Sequence, residues 1–214
     1  KAVEKYQPKL TVLCNPNNPT GELAPLSEIE RIVSLSKNPV LVDEAYMEFA
    51  QAESAISLIK KYPNVMVIRT LSKAFGLAGM RCGYMVADSD MIDAVSKVKS
   101  PYNLNIFTQA FGAIALKHRD EIFKVRDGII AERDRFLAEL SSVNGIRVYP
   151  SSTNFFLMDA GTYAPALFEA LRKADILVKK YKSPEMAPFF RITVTTKDVD
   201  ERILSVIREV IPNA

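Results

Sequence analysis

Residues 65–87 read VMVIRTLSKAFGLAGMRCGYMVA, and this stretch decides the fold class. The aliphatic run Val65 to Ile68 has strand length and no polar alternation, which suits a strand buried on both faces of a mainly parallel sheet. A second run, Cys82 to Ala87, returns too soon for a long crossover helix and is expected to pair antiparallel with the first. Between them Gly76, Gly79 and Gly83 crowd beside Arg81 in a chain with only eight glycines, and close backbone approach is the expected reason. Their spacing matches neither GxGxxG nor a GxxxxGK loop, so dinucleotide and P-loop sites are not supported.

Working outward, Leu10 to Leu13 (LTVL) and Val40 to Val42 (VLV) repeat the same strand signal. The intervening LSEIERIVSLSK has one apolar face at Ile29, Ile32 and Val33, with Ser27 and Glu30 in a capping-box pattern, and reads as a crossover helix. No helix is expected before the first strand. Downstream, KSPY (Lys99 to Tyr102) interrupts the pattern, and two long helices are expected at about 104–117 and 120–141. Phe107, Ala110, Phe111 and Ile114 line the first; Ile122, Val125, Ile129, Phe136 and Leu140 line the second. The remainder reads as strands near 146–149, 154–158, 176–179 and 189–195, with helices near 163–174 and 198–211. The fold class is therefore α/β: residues 1–101 as part of a mainly parallel three-layer α/β/α domain, 102–142 as connecting long helices, and 143–214 as a small α+β domain.

Composition removes several function classes. The chain is 48% hydrophobic and 25% charged, with no apolar run approaching the roughly 18 residues of a membrane span. Its net charge of +3 comes from 28 basic and 25 acidic residues scattered along the sequence, and the densest basic cluster is only Lys179, Lys180 and Lys182, so no nucleic-acid partner is expected. Cys14 and Cys82 have neither disulfide nor zinc spacing, and a reducing cytoplasm is the default. His118 is the only histidine and reads as a solvated helix-end residue, which leaves no imidazole for a hydrolase triad and no expected metal site.

Three segments at three strand ends carry the chemistry: NPNNPTG (residues 15–21), DEAYMEF (43–49) and RTLSKAFGLAGMRCGY (69–84). In an open parallel sheet, ligands bind outside the carboxyl ends of the strands, so Asn18, Asp43, Tyr46, Lys73 and Arg81 are candidates for one site. Taken singly, each has a plainer explanation: a proline-rich turn, a helix cap, a surface lysine. Together they suit an aldehyde cofactor with a phosphate tail. A lysine amine forms a Schiff base, an acid keeps a ring nitrogen protonated, and an arginine neutralises phosphate.

The three segments resemble those of class II, fold-type I aminotransferases from about residue 10 onward, and the third closely resembles the form found in the histidinol-phosphate aminotransferase branch. The resemblance implies pyridoxal 5'-phosphate as cofactor, held by Lys73 as a Schiff base, with the released amine of Lys73 as general acid and base. It also implies Asp43 on the pyridine nitrogen, Asn18 and Tyr46 on the ring oxygen, and Arg81 with Thr70 and Ser72 on the phosphate. Arg191, in FFRITVTT, corresponds to the residue that binds the acidic group of the substrate, so histidinol phosphate and glutamate or 2-oxoglutarate are the implied partners. Asn154 and Tyr102 align with segments near the substrate, but a structural role explains each equally well, and neither is counted among the catalytic residues. Sister activities, namely aromatic aminotransferases and threonine-phosphate decarboxylases, and regulators with an aminotransferase-like domain, share the cofactor residues. Family members have an earlier segment that supplies a helix N-terminus for the phosphate and a ring that stacks on the pyridine, so the N-terminal portion of the protein is expected to lie outside this chain. That leaves residues 1–101 as the C-terminal part of the large domain, a fragment expected to be weak or inactive alone, and a homodimer as the expected full-length state.

Overall fold

A computed structural model of the chain describes residues 1–211. The end of the expected C-terminal domain, 212–214, lies outside the described residues. The chain divides into two compact units, Lys1–Asn17 with Leu23–Lys124, and Asn18–Glu22 with Val125–Ala214.

The first unit contains α1 (Ala2–Tyr6), β1 (Thr11–Cys14), α2 (Leu26–Leu35), β2 (Val40–Asp43), β3 (Val65–Thr70), β4 (Gly83–Ala87), α3 (Ser89–Ser96), α4 (Ile106–Lys117) and the start of α5 (Arg119–Ser141). Its sheet has the order β1-β2-β3-β4. The first three strands are parallel and β4 is antiparallel to β3, as the short return from Ile68 to Cys82 requires. Val40, Val42, Val65 and Val67 point to one face, where Ile29 and Val33 of α2 and Ala55 and Leu58 of a 3-10 turn bury them. Burial on both faces, expected for every run, holds only within β3, where Val65, Met66 and Val67 are all buried; Val12 of β1 is 59% exposed.

Several local expectations are corrected. A five-residue helix, α1, precedes β1; the Gln7 side chain after it donates to the Leu35 carbonyl and accepts from the Lys37 N–H, which ties it to the end of α2. The Ser27–Glu30 capping box does not form. Pro25 occupies the cap position, and Glu30 instead pairs with Lys61 at 2.7 Å and accepts from the Tyr62 hydroxyl at 3.1 Å. Helix α3 has no counterpart in the sequence reading; the Asp88 carboxylate caps it by accepting from the Asp90 N–H. In α4 the aromatic face is the open one: Phe107, Phe111 and Ile114 are 70%, 48% and 55% exposed. Thr108, Gly112 and Ala115 are the buried residues, because small side chains let the helix approach the loop between β3 and β4. There Thr108 donates to the Met80 carbonyl at 2.9 Å, and a side chain at Gly112 would meet Leu71 and Cys82. His118 ends α4 exposed, as expected.

The second unit holds the rest of α5, then β5 (Arg147–Val148), β6 (Phe155–Asp159), α6 (Ala164–Lys173), β7 (Lys179–Lys180), β8 (Phe189–Thr193) and α7 (Lys197–Val210). Its sheet is antiparallel in the order β5-β6-β8-β7. Phe156 and Met158 of β6 and Phe190 and Ile192 of β8 face Phe136, Leu140, Leu167, Leu171, Leu204 and Ile207 from the three helices. Phe136 meets Phe156 edge to face at 5.3 Å. β7 is shorter than the expected 176–179, because the chain at Ile176 closes α6: its N–H donates to the Leu171 carbonyl after Asp175 takes a left-handed φ of 57°.

Candidate functional site

On the first unit, β2 and β3 end side by side, with Asp43 level with Cys14 on one neighbour and Ile68 on the other. Asp43 is thus the last strand residue of β2, and its Oδ1 accepts from the Ala45 N–H at 3.0 Å, which turns the chain so that Tyr46 is buried. The second carboxylate oxygen has no hydrogen-bond partner among the described residues. Lys73 follows β3 by three residues on an exposed turn, and its amine stands 5.1 Å from the centre of the Tyr46 ring. That amine makes no hydrogen bond or ion pair among the described residues.

The turn that presents Lys73 is built by hydroxyls and glycines. Thr70 Oγ1 accepts from the Ser72 N–H at 3.1 Å, and its one proton has two acceptors, Ser72 Oγ at 2.9 Å and the Cys82 carbonyl at 3.2 Å. Gly76, at φ +69°, turns the chain after Lys73, and the Gly76 N–H donates to the Lys73 carbonyl. The expected close approach is met by Gly83 alone, where a Cβ would lie 2.8 Å from the Arg69 carbonyl oxygen; around Gly76 and Gly79 there is open space. Arg81 is exposed, holds a left-handed backbone at φ 54°, and donates to the Ala78 carbonyl at 3.0 Å, closing its own turn. The structure shows no direct bond from it to Thr70 or Ser72.

A buried ion cluster underlies this rim, and the sequence reading missed it. The Glu44 side chain is fully buried beside Asp43; it accepts from the Ser54 hydroxyl at 2.7 Å, from the Ala55 N–H at 2.7 Å and from Arg69 Nε at 2.9 Å. Arg69, the residue before Thr70, also reaches Glu48 at 3.1 Å. Burial works against the Arg69 charge, but Glu44 and Glu48 outweigh it and hold the guanidinium above its ordinary value. Burial pushes the Glu48 carboxyl up, with Arg69 opposing, and pushes the Tyr84 phenol up likewise. The cluster joins the ends of β2 and β3, which carry Asp43 and the Thr70 to Lys73 turn. Its one sequence signal is the four-residue spacing of Glu44 and Glu48 inside DEAYMEF.

On the second unit, Arg191 projects from β8 opposite Leu157 and Lys179. Its guanidinium lies 4.9 Å from the centre of the Phe155 ring, and Nη1 donates to Asn18 Oδ1 at 2.8 Å. Asn18 and Arg191, read separately in the sequence, are thus hydrogen-bonded partners. The Asn18–Glu22 segment is fixed to this unit further by the Ser152 N–H, which donates to the Gly21 carbonyl at 2.8 Å.

The chain is 42% identical over 214 residues to a histidinol-phosphate aminotransferase of Thermoanaerobacter pseudethanolicus, covering 99% of this chain and 60% of that protein. It thus spans about 60% of the length of the curated relatives it matches. Among solved structures, the histidinol-phosphate aminotransferase of Sinorhizobium meliloti in complex with pyridoxal-5'-phosphate superposes with a TM-score of 0.87 at 28% identity, covering 98% of this chain and 59% of that one. A decarboxylase from Sulfurospirillum multivorans also superposes with a TM-score of 0.87, at 27% identity, covering 99% and 64%. The first unit's parallel sheet with its antiparallel fourth strand and the second unit's α+β layer are those of a partial fold-type I structure. With residues 1–207 matched by the family description "Aminotransferase class I and II", the chain belongs to the class I and II aminotransferase family.

Proposed function

We propose that this protein transfers an amino group between histidinol phosphate and 2-oxoglutarate with pyridoxal 5'-phosphate as cofactor, working as a homodimer in the cytoplasm. The observation that carries the reading is the Lys73 amine, poised over the Tyr46 ring with no other partner among the described residues, beside a strand end whose Asp43 keeps one oxygen uncommitted. An amine, an acid, two hydroxyls and a guanidinium fit an aromatic aldehyde that carries a phosphate. When bound, that group supplies an aldehyde for amines and a protonated ring that withdraws electrons from them.

Lys73 would hold the cofactor covalently through its amine, and the same amine, when free, would serve as general acid and base at the substrate carbon. Asp43 keeps the ring nitrogen protonated through its uncommitted oxygen, while Ala45 fixes the other. Tyr46 and Asn18 hydrogen-bond the ring oxygen, and Thr70, Ser72 and Arg81 bind the phosphate. Arg191 takes the acidic group of each substrate in turn, the phosphate ester in one half-reaction and a carboxylate in the other. The large exposed side chains of α4, Ile106, Phe107 and Ile114, support a second copy of the chain as partner. The structural likeness to a decarboxylase and to an L-threonine-O-3-phosphate decarboxylase favours one alternative, decarboxylation of a phosphorylated amino acid.

With pyridoxal phosphate added, a near-visible absorption band should appear, and borohydride should remove it and leave the cofactor's mass on Lys73. A label on another lysine overturns the reading. Loss of histidinol phosphate that depends on 2-oxoglutarate is then the expected activity. Preference for phenylalanine or tyrosine reassigns the substrate, and carbon dioxide release without an acceptor acid selects decarboxylation.

A further inference from the structure

Two polar atoms of the second unit are shut off from solvent and have no hydrogen-bond partner among the described residues although they lie on one face: Tyr181 Oη and Arg191 Nε. Lys179 of β7 is paired with Arg191 of β8 and so shares its side of the sheet, and the ring of Tyr181, one residue past the end of β7, lies 6.0 Å from the Lys179 ammonium on that side. Leu157, paired with Arg191, and Phe155, two residues before it, give that side an apolar floor, and both are buried. The Tyr181 phenol is pushed up by burial while the Arg191 charge draws it down, so the guanidinium is near enough to act on it.

Arginine nitrogens only donate, and a phenol donates readily, so two buried donors here call for an acceptor that neither Phe155 nor Leu157 offers. Asn18 has already engaged Nη1, which leaves Nε as the open side of the fork. We propose that the Tyr181 hydroxyl and the Arg191 Nε–H together bind one oxyanion of the acid substrate, so that Tyr181 sets the affinity for that acid. The inference rests on the reading of Arg191 as the acid-binding residue and adds to it a neutral donor that the family resemblance did not single out. Carboxylate and phosphate ester share the required chemistry, since each offers an oxygen with lone pairs for both donors and a charge for the guanidinium.

The test is calorimetric titration of the protein loaded with pyridoxal phosphate, using glutarate as an unreactive carboxylate and inorganic phosphate as the other oxyanion. Tyr181→Phe is expected to weaken binding by about ten-fold or more, the effect of losing one hydrogen bond to a charged group. Cofactor uptake and Tm should stay at the unaltered values, because the hydroxyl gives up no protein partner. A loss confined to glutarate identifies the carboxylate as occupant, a loss confined to phosphate identifies the phosphate ester, and either supports the assignment. Unchanged affinity for both, or a fall in Tm without a fall in affinity, overturns it. The parent reading is tested separately: if Arg191→Gln binds both anions as before, or the unaltered protein binds neither, the acid-binding role of Arg191 falls and this inference with it.

Discussion

Replacing Arg69 by methionine would remove the cation from the buried cluster and keep most of the side-chain volume. Glu44, fully buried, would retain only the Ser54 hydroxyl and the Ala55 N–H against its charge, and Glu48 would lose its 3.1 Å partner. Removing one partner of a buried pair costs about 3–5 kcal/mol, because an uncompensated charge stays in a low-dielectric site. The Arg69 side chain is 15% exposed, so some solvent reaches the pair and the lower end, about 3 kcal/mol, applies. In a chain of this size each kcal/mol shifts Tm by about 2–4 °C, which predicts a fall of about 6–12 °C. Adding Glu44→Gln removes the stranded charge and should recover about 2 kcal/mol, a coupling typical of residues in one network. Urea denaturation followed by far-ultraviolet circular dichroism measures both values. Pyridoxal phosphate uptake should weaken in Arg69→Met and return partly in the double variant, since the cluster holds the strand ends that carry Asp43 and Lys73. A single-variant cost under about 1 kcal/mol, or purely additive single and double variants, would refute the claim that this cluster joins β2 to β3.

Two further outcomes follow from the same geometry. Gly83→Ala would put a Cβ 2.8 Å from the Arg69 carbonyl, a backbone atom fixed by the β3–β4 pairing, and should cost about 1–3 kcal/mol, whereas Gly79→Ala, with open space around it, should stay within about 0.5 kcal/mol; equal urea midpoints would contradict this. The folded pKa of Glu48 is raised, first by burial, so its contribution to stability is complete below the unfolded carboxylate value of about 4.3 and is lost as pH rises through the folded value. The stability of the unaltered protein relative to Glu48→Gln should therefore decline from pH 4 toward neutrality, and urea midpoints along a pH series that run the other way would reject the assignment.

The mainly parallel sheet, the direction of β4 and the positions of the three strand-end segments were legible in the sequence. Each depends on a short apolar run and the length of the connection that follows it, which are local properties. Errors arose where a local pattern had two physical readings. Ser27 and Glu30 match a capping box, yet Glu30 gains more from the Lys61 ammonium and the Tyr62 hydroxyl, which only the folded chain brings within 2.7 Å and 3.1 Å. In α4 the large apolar side chains suggested a buried face, but Thr108, Gly112 and Ala115 are buried because the helix lies close to the Leu71–Cys82 loop.

The amino-acid sequence by itself determined the family, the candidate cofactor lysine and the alternation of strands and helices, since motif chemistry and hydrophobic period are written along the chain. Tertiary structure alone decided that Arg69 answers Glu44 and Glu48, that Asn18 meets Arg191, and that Tyr181 shares the Arg191 face. These pairings join residues 10 to 173 positions apart, and a linear pattern records what each side chain is without recording which side chain will stand opposite it.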